Sequence, residues 1–472
     1  MRRRRQMLKS LLALPFSAVN LGVLARSGRP VGPPTFPESS KLEATLLRST
    51  GVRFGPGDLE ILRSHFDLAA YTGQASHVFL RSPGLPVAQQ QRFFRRDVSG
   101  RPTEEPLIDA LGRAWLHDRR QLVDVRKFGG VKRGDDYTAS ITRALTESDV
   151  YAWIPPDLSG TALDVALPSN AILVIDGTIE MPASAPLRAA IFRNADPDAG
   201  NSHIALVGNG CIDGAKARQA LEAEHELVRF INCSSVAIHL AQAGGNRFSK
   251  SIRERSGAAV HLLGGRDHSV SIDRLQDYGR EGIWLYDVSH SMVSDTETNG
   301  GGESWSGVQV GGPTATLNRI SNVATHLAGA SGIGCDSKES LVVDCSSRAN
   351  EYFHGFNFGH AGQPADDTTG LRLRSISAGT AGTASADFNG FSIVNGSRRV
   401  RLIDCVAEQA FRDGFNTSAG ADGSTLVRCA ASGSGRYGVN AWGATVVTRD
   451  CSFDSNAGGS ISPSGNGRVI VD

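Results

Sequence analysis

Short apolar segments recur along most of the chain, and polar or glycine-rich turns separate them. From about residue 150 onward these segments include 172–175, 204–207 and 228–231, and the series continues to Val469. Within each segment apolar and polar positions alternate, which places neighbouring side chains on opposite faces of an extended strand. The pattern therefore predicts many short β-strands, each with one apolar face turned toward a core.

A series of glycines precedes successive strands and sets their spacing. The steps are 23 to 25 residues, apart from one step of 35 residues between Gly355 and Gly390. The positions one and three residues after each glycine are mostly apolar, so the position between them is predicted to point outward. The series is Gly257, Gly282, Gly307, Gly332, Gly355, Gly390, Gly414 and Gly438.

A second strand follows about ten to sixteen residues later in each repeat, as in 341–345 and 400–405. A leucine-rich solenoid would need regular Leu and Asn spacings together with helices, and a propeller would need four strands in each ~40-residue repeat. The chain has neither pattern. We therefore predict an all-β fold, a single-stranded right-handed parallel β-helix over 122–472.

The first 121 residues do not follow this repeat. Arg2 to Arg5 and the apolar stretch after them predict a signal peptide over 1–25, and the run from Arg4 to Lys9 resembles the twin-arginine export motif. An ordinary secretory signal or an uncleaved anchor is the alternative. A Pro- and Gly-rich linker is predicted over 26–40. A small mixed module is predicted over 41–121, with a helix at 58–66 and strands at 77–81 and 91–95.

The composition fits a turn-rich β-structure. The chain has 54 Gly, and its 49 basic and 48 acidic residues give a formal net charge of +1. No global field therefore attracts nucleic acid, and we predict no nucleic-acid partner. Seven cysteines without a CxxC pair disfavour a metal cluster. Cys405, Cys429 and Cys451 follow the repeat and are predicted to stack inside the coil, as thiols or as a disulfide.

Two segments at the start of the predicted coil resemble a known family. The runs at 124–130 and 134–145 resemble the opening of the rhamnogalacturonase/epimerase-type pectate lyase domain. The run at 201–214, which ends in Gly-Asn-Gly-Cys-Ile-Asp-Gly, resembles a coil of the same superfamily. The resemblance implies a pectate lyase-like β-helix, the fold of pectate lyases, alginate epimerases, polygalacturonases and phage tailspikes.

Equal positions on successive coils form rows in space, because neighbouring strands lie about 4.8 Å apart. One row lies two residues after each glycine and points outward, and a corner row lies just before each glycine. The outward row is Trp284, Gln309, Gly334, Asn357, Ser392, Asn416 and Asn440, and the corner row is Glu281, Ser306, Ser331, His354, Asn389, Asp413 and Tyr437. An asparagine ladder with solvated corners and no ligand is the alternative interpretation.

These rows supply the predicted site residues. Aromatic faces stack on sugars and histidine exchanges a proton near neutral pH, so the aromatic and ionisable run at 351–360 is the centre of the site. This run resembles the YG.DPH run of alginate epimerases without its Asp-Pro pair. The predicted catalytic residues are His354, Asp413, Tyr437 and Arg412, and the predicted substrate-binding residues are Asn357, His360, Asn389, Asn416, Arg436, Asn440 and Trp284.

The long repeat after this run carries Asp366 and Asp367. We predict that a loop there walls a groove. No cofactor is predicted, although Ca²⁺ held by these two carboxylates is left open.

The rows favour proton-transfer chemistry on a polysaccharide. A glycosidase needs two carboxyl groups about 5 to 9.5 Å apart, whereas Glu281 and Asp413 lie five coils apart, about 24 Å. A lyase or C5-epimerase needs a group that neutralises a uronate carboxylate, a base and an acid. We therefore predict a periplasmic or secreted lyase or C5-epimerase with a uronate polysaccharide as its substrate and no membrane span in the mature protein. A polygalacturonase-type hydrolase and a non-catalytic glycan-binding surface protein are the alternatives.

Overall fold

A computed structural model gives the structure of the chain. It describes residues 121–129, 131–146, 150–249, 257–300, 304–360, 362–380, 388–394, 396–462 and 467–472, and the backbone of five strands between residues 59 and 117. The predicted signal peptide and linker lie outside these residues. In the described part of the chain, no helix is both long and apolar enough to cross a membrane.

Five short strands form a sheet in the region predicted as an N-terminal module. They are β1 (Leu59–Leu62), β2 (His77–Leu80), β3 (Phe93–Arg96), β4 (Leu107–Ile108) and β5 (Ala114–His117), in the order β1-β2-β3-β5-β4. The strands predicted at 77–81 and 91–95 are confirmed as β2 and β3. The helix predicted at 58–66 is wrong over β1, because four residues there pair in parallel with β2 and this long-range pairing outweighs local preference.

The other 32 strands of the described residues build one long coil. The first twelve are β6 (Gln121–Asp124), β7 (Val150–Ile154), β8 (Ser159–Thr161), β9 (Val165–Leu167), β10 (Ile172–Ile175), β11 (Thr178–Glu180), β12 (Arg188–Asn194), β13 (Ser202–Asp213), β14 (Glu224–Ile231), β15 (Ser234–Gly244), β16 (Val260–Leu263) and β17 (Ser269–Gln276). The next ten are β18 (Ile283–Tyr286), β19 (Met292–Asn299), β20 (Val308–Thr316), β21 (Arg319–His326), β22 (Ile333–Lys338), β23 (Leu341–Val343), β24 (Ser346–Arg348), β25 (Phe356–Phe358), β26 (Thr369–Leu371) and β27 (Arg374–Ile376). The last ten are β28 (Phe391–Ile393), β29 (Arg401–Ile403), β30 (Val406–Glu408), β31 (Phe415–Thr417), β32 (Ser424–Val427), β33 (Ala430–Ser432), β34 (Tyr437–Ala441), β35 (Thr445–Arg449), β36 (Gly459–Ile461) and β37 (Arg468–Val471).

The coil begins with a strand, a turn and a helix, over the segment that resembles the opening of the pectate lyase-like domain. After β6 come a 3-10 helix (Val125–Phe128) and helix α1 (Thr138–Thr146), and a second 3-10 helix (Lys216–Arg218) follows β13. Asp136 Oδ1 accepts a hydrogen bond from the backbone N–H of Thr138 at 2.9 Å, which satisfies a donor at the start of α1. The helix buries Ile141 and Ala144 against the first coil.

Parallel pairing between successive coils confirms the parallel β-helix. Every pair of neighbouring strands from β6 onward is parallel, and the strands divide between a twenty-stranded and a twelve-stranded sheet. The twelve-stranded sheet has the order β9-β12-β14-β16-β18-β20-β22-β25-β28-β31-β34-β36. Each of its strands pairs with a strand one coil later, so its outer face presents long rows of side chains.

The strand registers confirm the glycine-based repeat from Gly282 onward. Ile283 pairs with Val308, and the same inward row continues through Phe391 to Val439. One position differs, because Val260 pairs with Ile283 and the residue equivalent to Gly282 is therefore Ala259 rather than Gly257. The core inside the coil is the apolar row that the alternation predicted.

Stacked aromatic rings and thiols fill the late coils. The ring centroids of Phe356 and Phe391 lie 5.0 Å apart and those of Phe391 and Phe415 lie 4.8 Å apart, and all three residues are buried. The predicted stack of Cys405, Cys429 and Cys451 is confirmed, because the residue after each cysteine pairs with its equivalent on the next coil. All three cysteines are free thiols. Small apolar thiols suit this narrow interior.

Candidate functional site

A groove of about 470 Å³ lies over the outer face of the twelve-stranded sheet. Its lining extends from the coil of β18 to the coil of β31, which is five steps or about 24 Å. A groove of this length suits a linear polymer. Its ionisable and aromatic lining residues are Arg280, Glu281, Trp284, Tyr286, Trp305, Asp336, Phe353, His354 and His360.

The strand registers confirm both rows of side chains that the sequence predicts. In the outward row, Trp284 pairs with Gln309 and Asn416 pairs with Asn440. In the corner row, each backbone N–H after a corner bonds to the corner carbonyl one coil later, as Gly355 does to Asn389. Four of the predicted site residues line the groove, namely Trp284, His354, Asn357 and His360.

The other predicted site residues lie outside the groove lining and form a ladder along the late coils. His354 Nδ1 accepts from the backbone N–H of Asn389 at 3.2 Å, and Asn389 Oδ1 accepts from that of Asp413 at 3.2 Å. Asp413 Oδ1 accepts in turn from the backbone N–H of Tyr437 at 3.1 Å. These contacts fit the alternative interpretation from the sequence, an asparagine ladder without a ligand, because they join the corner side chains of neighbouring coils. The predicted catalytic role of Asp413, Tyr437 and Arg412 stays a prediction.

Asp413 is also held by arginine. Its carboxylate is fully buried and accepts from Arg436 Nε at 2.8 Å and from Arg436 Nη2, while Arg412 Nε lies 3.9 Å away. In the outward row, Asn440 Nδ2 donates to Asn416 Oδ1 at 2.7 Å, as in an asparagine ladder. Several of the predicted residues thus have contacts that stabilise the coil.

We expect the Arg436→Ala substitution to cost about 3 kcal/mol of the free energy of unfolding. It leaves the buried Asp413 carboxylate without its main partner, and an uncompensated buried charge is strongly destabilising. Arg428→Ala is the matched control, because Arg428 binds Asp404 in the same two-bond geometry where the carboxylate is 36% exposed. Its cost is expected to stay below about 1 kcal/mol. Urea unfolding measures both, and equal losses would contradict the prediction.

Asp336 is the most perturbed carboxyl group of the groove. It is 3% exposed, Oδ2 accepts from Gln309 Nε2 at 2.6 Å, and Oδ1 has no hydrogen-bond partner among the described residues. Burial raises the pKa of Asp336 to about 8. The group is therefore protonated at neutral pH and can donate a proton.

Asp336 belongs to a second outward row, four residues after each glycine. Tyr286 pairs with Gly311, and Gly311 pairs with Asp336. The phenol and the carboxyl group therefore lie two coils apart, about 10 Å between backbones, with no side chain between them. We call this opening the Tyr286–Asp336 gap. Gln363 Nε2 donates to Tyr286 Oη at 3.3 Å, and His360 lines the groove nearby.

The hydrogen bonding of His354 indicates how it can act. Because Nδ1 accepts from a backbone N–H, the neutral ring carries its proton on Nε2. In this tautomer Nε2 is a hydrogen-bond donor rather than a base, and the residue lines the groove.

The carboxylates considered for Ca²⁺ both have arginine partners. Asp366 accepts from Arg398 Nη2 at 3.2 Å, and Asp367 accepts from Arg399 Nε and Nη2 at 2.6 Å each. The guanidinium of Arg399 lowers the pKa of Asp367. Among the described residues no group of three or more His, Cys, Asp and Glu is placed to hold a metal ion. Calcium binding by this pair stays an open alternative to the prediction of no cofactor.

Comparisons with known structures show which fold the chain has. The A-module of the Azotobacter vinelandii mannuronan C-5 epimerase AlgE4 is similar, with a TM-score of 0.55, 12% identity, and coverage of 74% of this chain and 99% of the module. The chain is a right-handed parallel β-helix. No protein-family model matches it, and no curated protein matches its sequence.

Two other β-helix structures illustrate the range of such proteins. The tailspike of E. coli bacteriophage HK620, described in complex with a hexasaccharide, has a TM-score of 0.52 and 14% identity over 72% of this chain and 66% of its own. The Streptococcus pneumoniae surface protein and adhesin PfbA has a TM-score of 0.51 and 11% identity over 75% of this chain and 100% of its own.

The β-helix also explains which groove residues the sequence analysis missed. The two rows predicted from the sequence lie just before and two residues after each glycine, whereas Tyr286 and Asp336 lie four residues after Gly282 and Gly332. Alternation makes that fourth position outward as well. Following it would have found both residues. The repeat places Tyr286 and Asp336 in an outward row, but it does not show that Asp336 is buried, and burial is what raises its pKa.

Proposed function

We propose that the protein is an exported enzyme that acts on a uronate-containing polysaccharide by proton transfer at C5, as a lyase or a C5-epimerase. The observation that carries the proposal is the Tyr286–Asp336 gap. It places a phenol oxygen and a carboxyl group that is protonated at neutral pH on opposite sides of a space floored by Gly311. A base and an acid on opposite sides of one sugar are what C5-epimerisation requires.

The two reactions share their first step. The Tyr286 oxygen accepts the C5 proton, and the electron pair of the broken C–H bond moves into the uronate carboxyl group. In epimerisation Asp336 returns a proton to the opposite face of C5. In elimination the electron pair forms the C4–C5 double bond and expels the O4 leaving group, which Asp336 protonates. His360 and Gln363, which line the groove, are placed to donate hydrogen bonds to the uronate carboxylate.

The carboxyl groups of the groove argue against a hydrolase. Among its described lining residues only Glu281 and Asp336 carry one. Glu281 lies in the corner before β18, whereas Asp336 lies two coils later, at the position that pairs through Gly311 with Tyr286 at the end of β18. The two carboxyl groups therefore lie on different coils and at different ends of the strand position, which does not match the 5 to 9.5 Å separation of a glycosidase pair.

The similar structures favour a polysaccharide ligand. One is a mannuronan C-5 epimerase module, and another holds a hexasaccharide. Export is part of the proposal and rests on the basic and apolar segment at 1–25. Periplasmic and secreted locations both fit such a segment.

A panel of uronate polymers in D₂O tests the reaction directly. We expect deuterium at C5 with inverted configuration from an epimerase, or an unsaturated sugar absorbance from a lyase. New reducing ends without either signal would indicate hydrolysis. Binding without any product would indicate a non-catalytic glycan-binding protein, and either result would overturn the proposal.

The Gly311→Ala variant tests the role of the gap. A Cβ at this position would lie 2.6 Å from Asp336 Cβ, although the backbone of Gly311 is outside the left-handed region and accepts alanine. We expect at least a tenfold lower kcat/KM and a loss of about 1 to 3 kcal/mol in stability from the added volume. Ser392→Ala, in the neighbouring outward row, is the control and should keep its kcat/KM. An unchanged rate in Gly311→Ala would show that the gap is not the reacting position.

A further inference from the structure

Arg280 lies between two indole rings at the end of the groove where β18 begins. Its guanidinium carbon is 4.8 Å from the ring centroid of Trp284 and 4.8 Å from that of Trp305. Its side chain is only 14% exposed, yet it lines the groove. Two aromatic faces fix the orientation of the cation and reduce its hydration, which prepares it to bind an anion.

The support beneath these rings is rigid. The imidazole of His261 stacks on Trp284, with a centroid distance of 4.5 Å and an interplanar angle of 3°. His261 Nδ1 lies 2.7 Å from Glu226 Oε1, and both side chains are almost fully buried. Since this assembly spans three coils, little ordering is required when a ligand meets Arg280.

A buried carboxyl group competes for the same cation. Glu281 Oε1 lies 3.1 Å from Arg280 Nε, the residue is 4% exposed, and Oε2 has no hydrogen-bond partner among the described residues. Burial raises the pKa of Glu281 to about 7 against the opposing effect of Arg280, and the charge of Glu226 adds a smaller increase. The other titratable neighbour is Tyr278, which is fully buried.

We propose that Arg280 binds the carboxylate of a uronate unit outside the reacting position, and that Glu281 competes with this unit for Arg280. The ligand class rests on the proposed function. Arg280 lies in the corner before β18, and its guanidinium contacts the Trp284 ring, whose centroid lies 5.5 Å from that of the Tyr286 ring. The cation is therefore beside the proposed base and is placed to meet the unit next to the reacting sugar. It is therefore a binding residue that changes affinity rather than turnover.

Protonation of Glu281 sets the sign of the pH effect. Below about pH 7 Glu281 is neutral, and Arg280 can pair with the polymer. Above that pH the ionised carboxylate occupies the guanidinium, so affinity for uronate decreases. A neutral, methyl-esterified polymer gains nothing from Arg280 at either pH.

Calorimetric titration of the full chain with a hexameric oligouronate and with its methyl ester tests this inference. A Tyr286→Phe background prevents turnover, and titrations run at pH 5.5 and 8.5. We expect Arg280→Gln to weaken oligouronate binding at least tenfold at pH 5.5 and to leave the ester unchanged. Glu281→Gln should raise the affinity at pH 8.5 to nearly its value at pH 5.5. Arg266→Gln is the control, because Arg266 pairs with the adjacent Asp267 on an exposed surface outside the groove lining.

The possible failures are distinguishable. If the oligouronate binds and Arg280→Gln matches the parent, or if acid and ester respond alike, the subsite assignment is wrong while the proposed reaction stands. If no uronate polymer binds or reacts, both the Arg280 subsite and the proposed function are wrong. Circular dichroism of each variant separates lost binding from lost folding, and Arg280→Lys supplies a second test because lysine keeps the charge without the planar stacking.

Discussion

Replacing Asp336 by Asn is expected to lower turnover by about 10²- to 10⁴-fold, which is the usual loss when a general acid is removed. Asn keeps the size of the side chain and can still bond to Gln309, but its amide is not acidic enough to transfer a proton. The wild-type rate should fall as the pH rises through about 8, where Asp336 loses its proton. The Asn variant should lack this descending limb, and turnover measured from pH 6 to 9.5 tests it.

The same substitution is expected to stabilise the fold at high pH. The folded state holds the Asp336 proton up to about pH 8, whereas an ordinary aspartate loses it near pH 3.8. The folded state binds more protons across this window, so the buried group lowers stability progressively as the pH rises through it. The cost reaches up to about 5 kcal/mol at pH 8. Asp336→Asn should recover part of it at pH 8 and almost none at pH 4.

Asp344→Asn is the matched control with the opposite sign. Asp344 is exposed and bonds to Arg372, whose guanidinium lowers its pKa. Its contribution to stability is present at neutral pH and is lost as the pH falls, so the substitution should not stabilise the protein. Equal pH profiles for the two variants would exclude a special environment at Asp336.

The Tyr286→Phe variant is expected to lower the rate of deuterium incorporation at C5 by about 10²- to 10⁴-fold, the usual loss when a general base is removed. Only the phenol oxygen is lost, together with its hydrogen bond to Gln363 at 3.3 Å, and circular dichroism checks that the variant is folded. Tyr437→Phe is the matched control, because Tyr437 is the predicted catalytic tyrosine of the corner row and lies outside the groove lining.

These two tyrosine variants discriminate between the row predicted from the sequence and the gap found in the structure. Loss of activity only in Tyr437→Phe would move the reacting position to the late coils, beside Asp413 and Arg436. Loss in neither variant would remove tyrosine from the mechanism.

The spacing of residues determined the fold. Glycines about two dozen residues apart, each followed by alternating apolar positions, required parallel coils and placed Trp284, Asn357 and Asn416 in one outward row, as the registers confirm. A periodic pattern suffices here because each coil contacts only its neighbours. The exception near the chain start, β1, follows from a pairing with β2 that no local pattern carries.

Only the tertiary structure decided what each row can do. Asp413 and Asp336 both appear in the sequence as acids on a repeat, yet one is neutralised by Arg436 and the other is buried beside Gln309 with one oxygen unpartnered. Proton affinity depends on desolvation and on nearby charge, and both arise from side chains brought together across coils. The sequence by itself determined which residues share a row, and the packing between rows determined which of them are placed to transfer a proton.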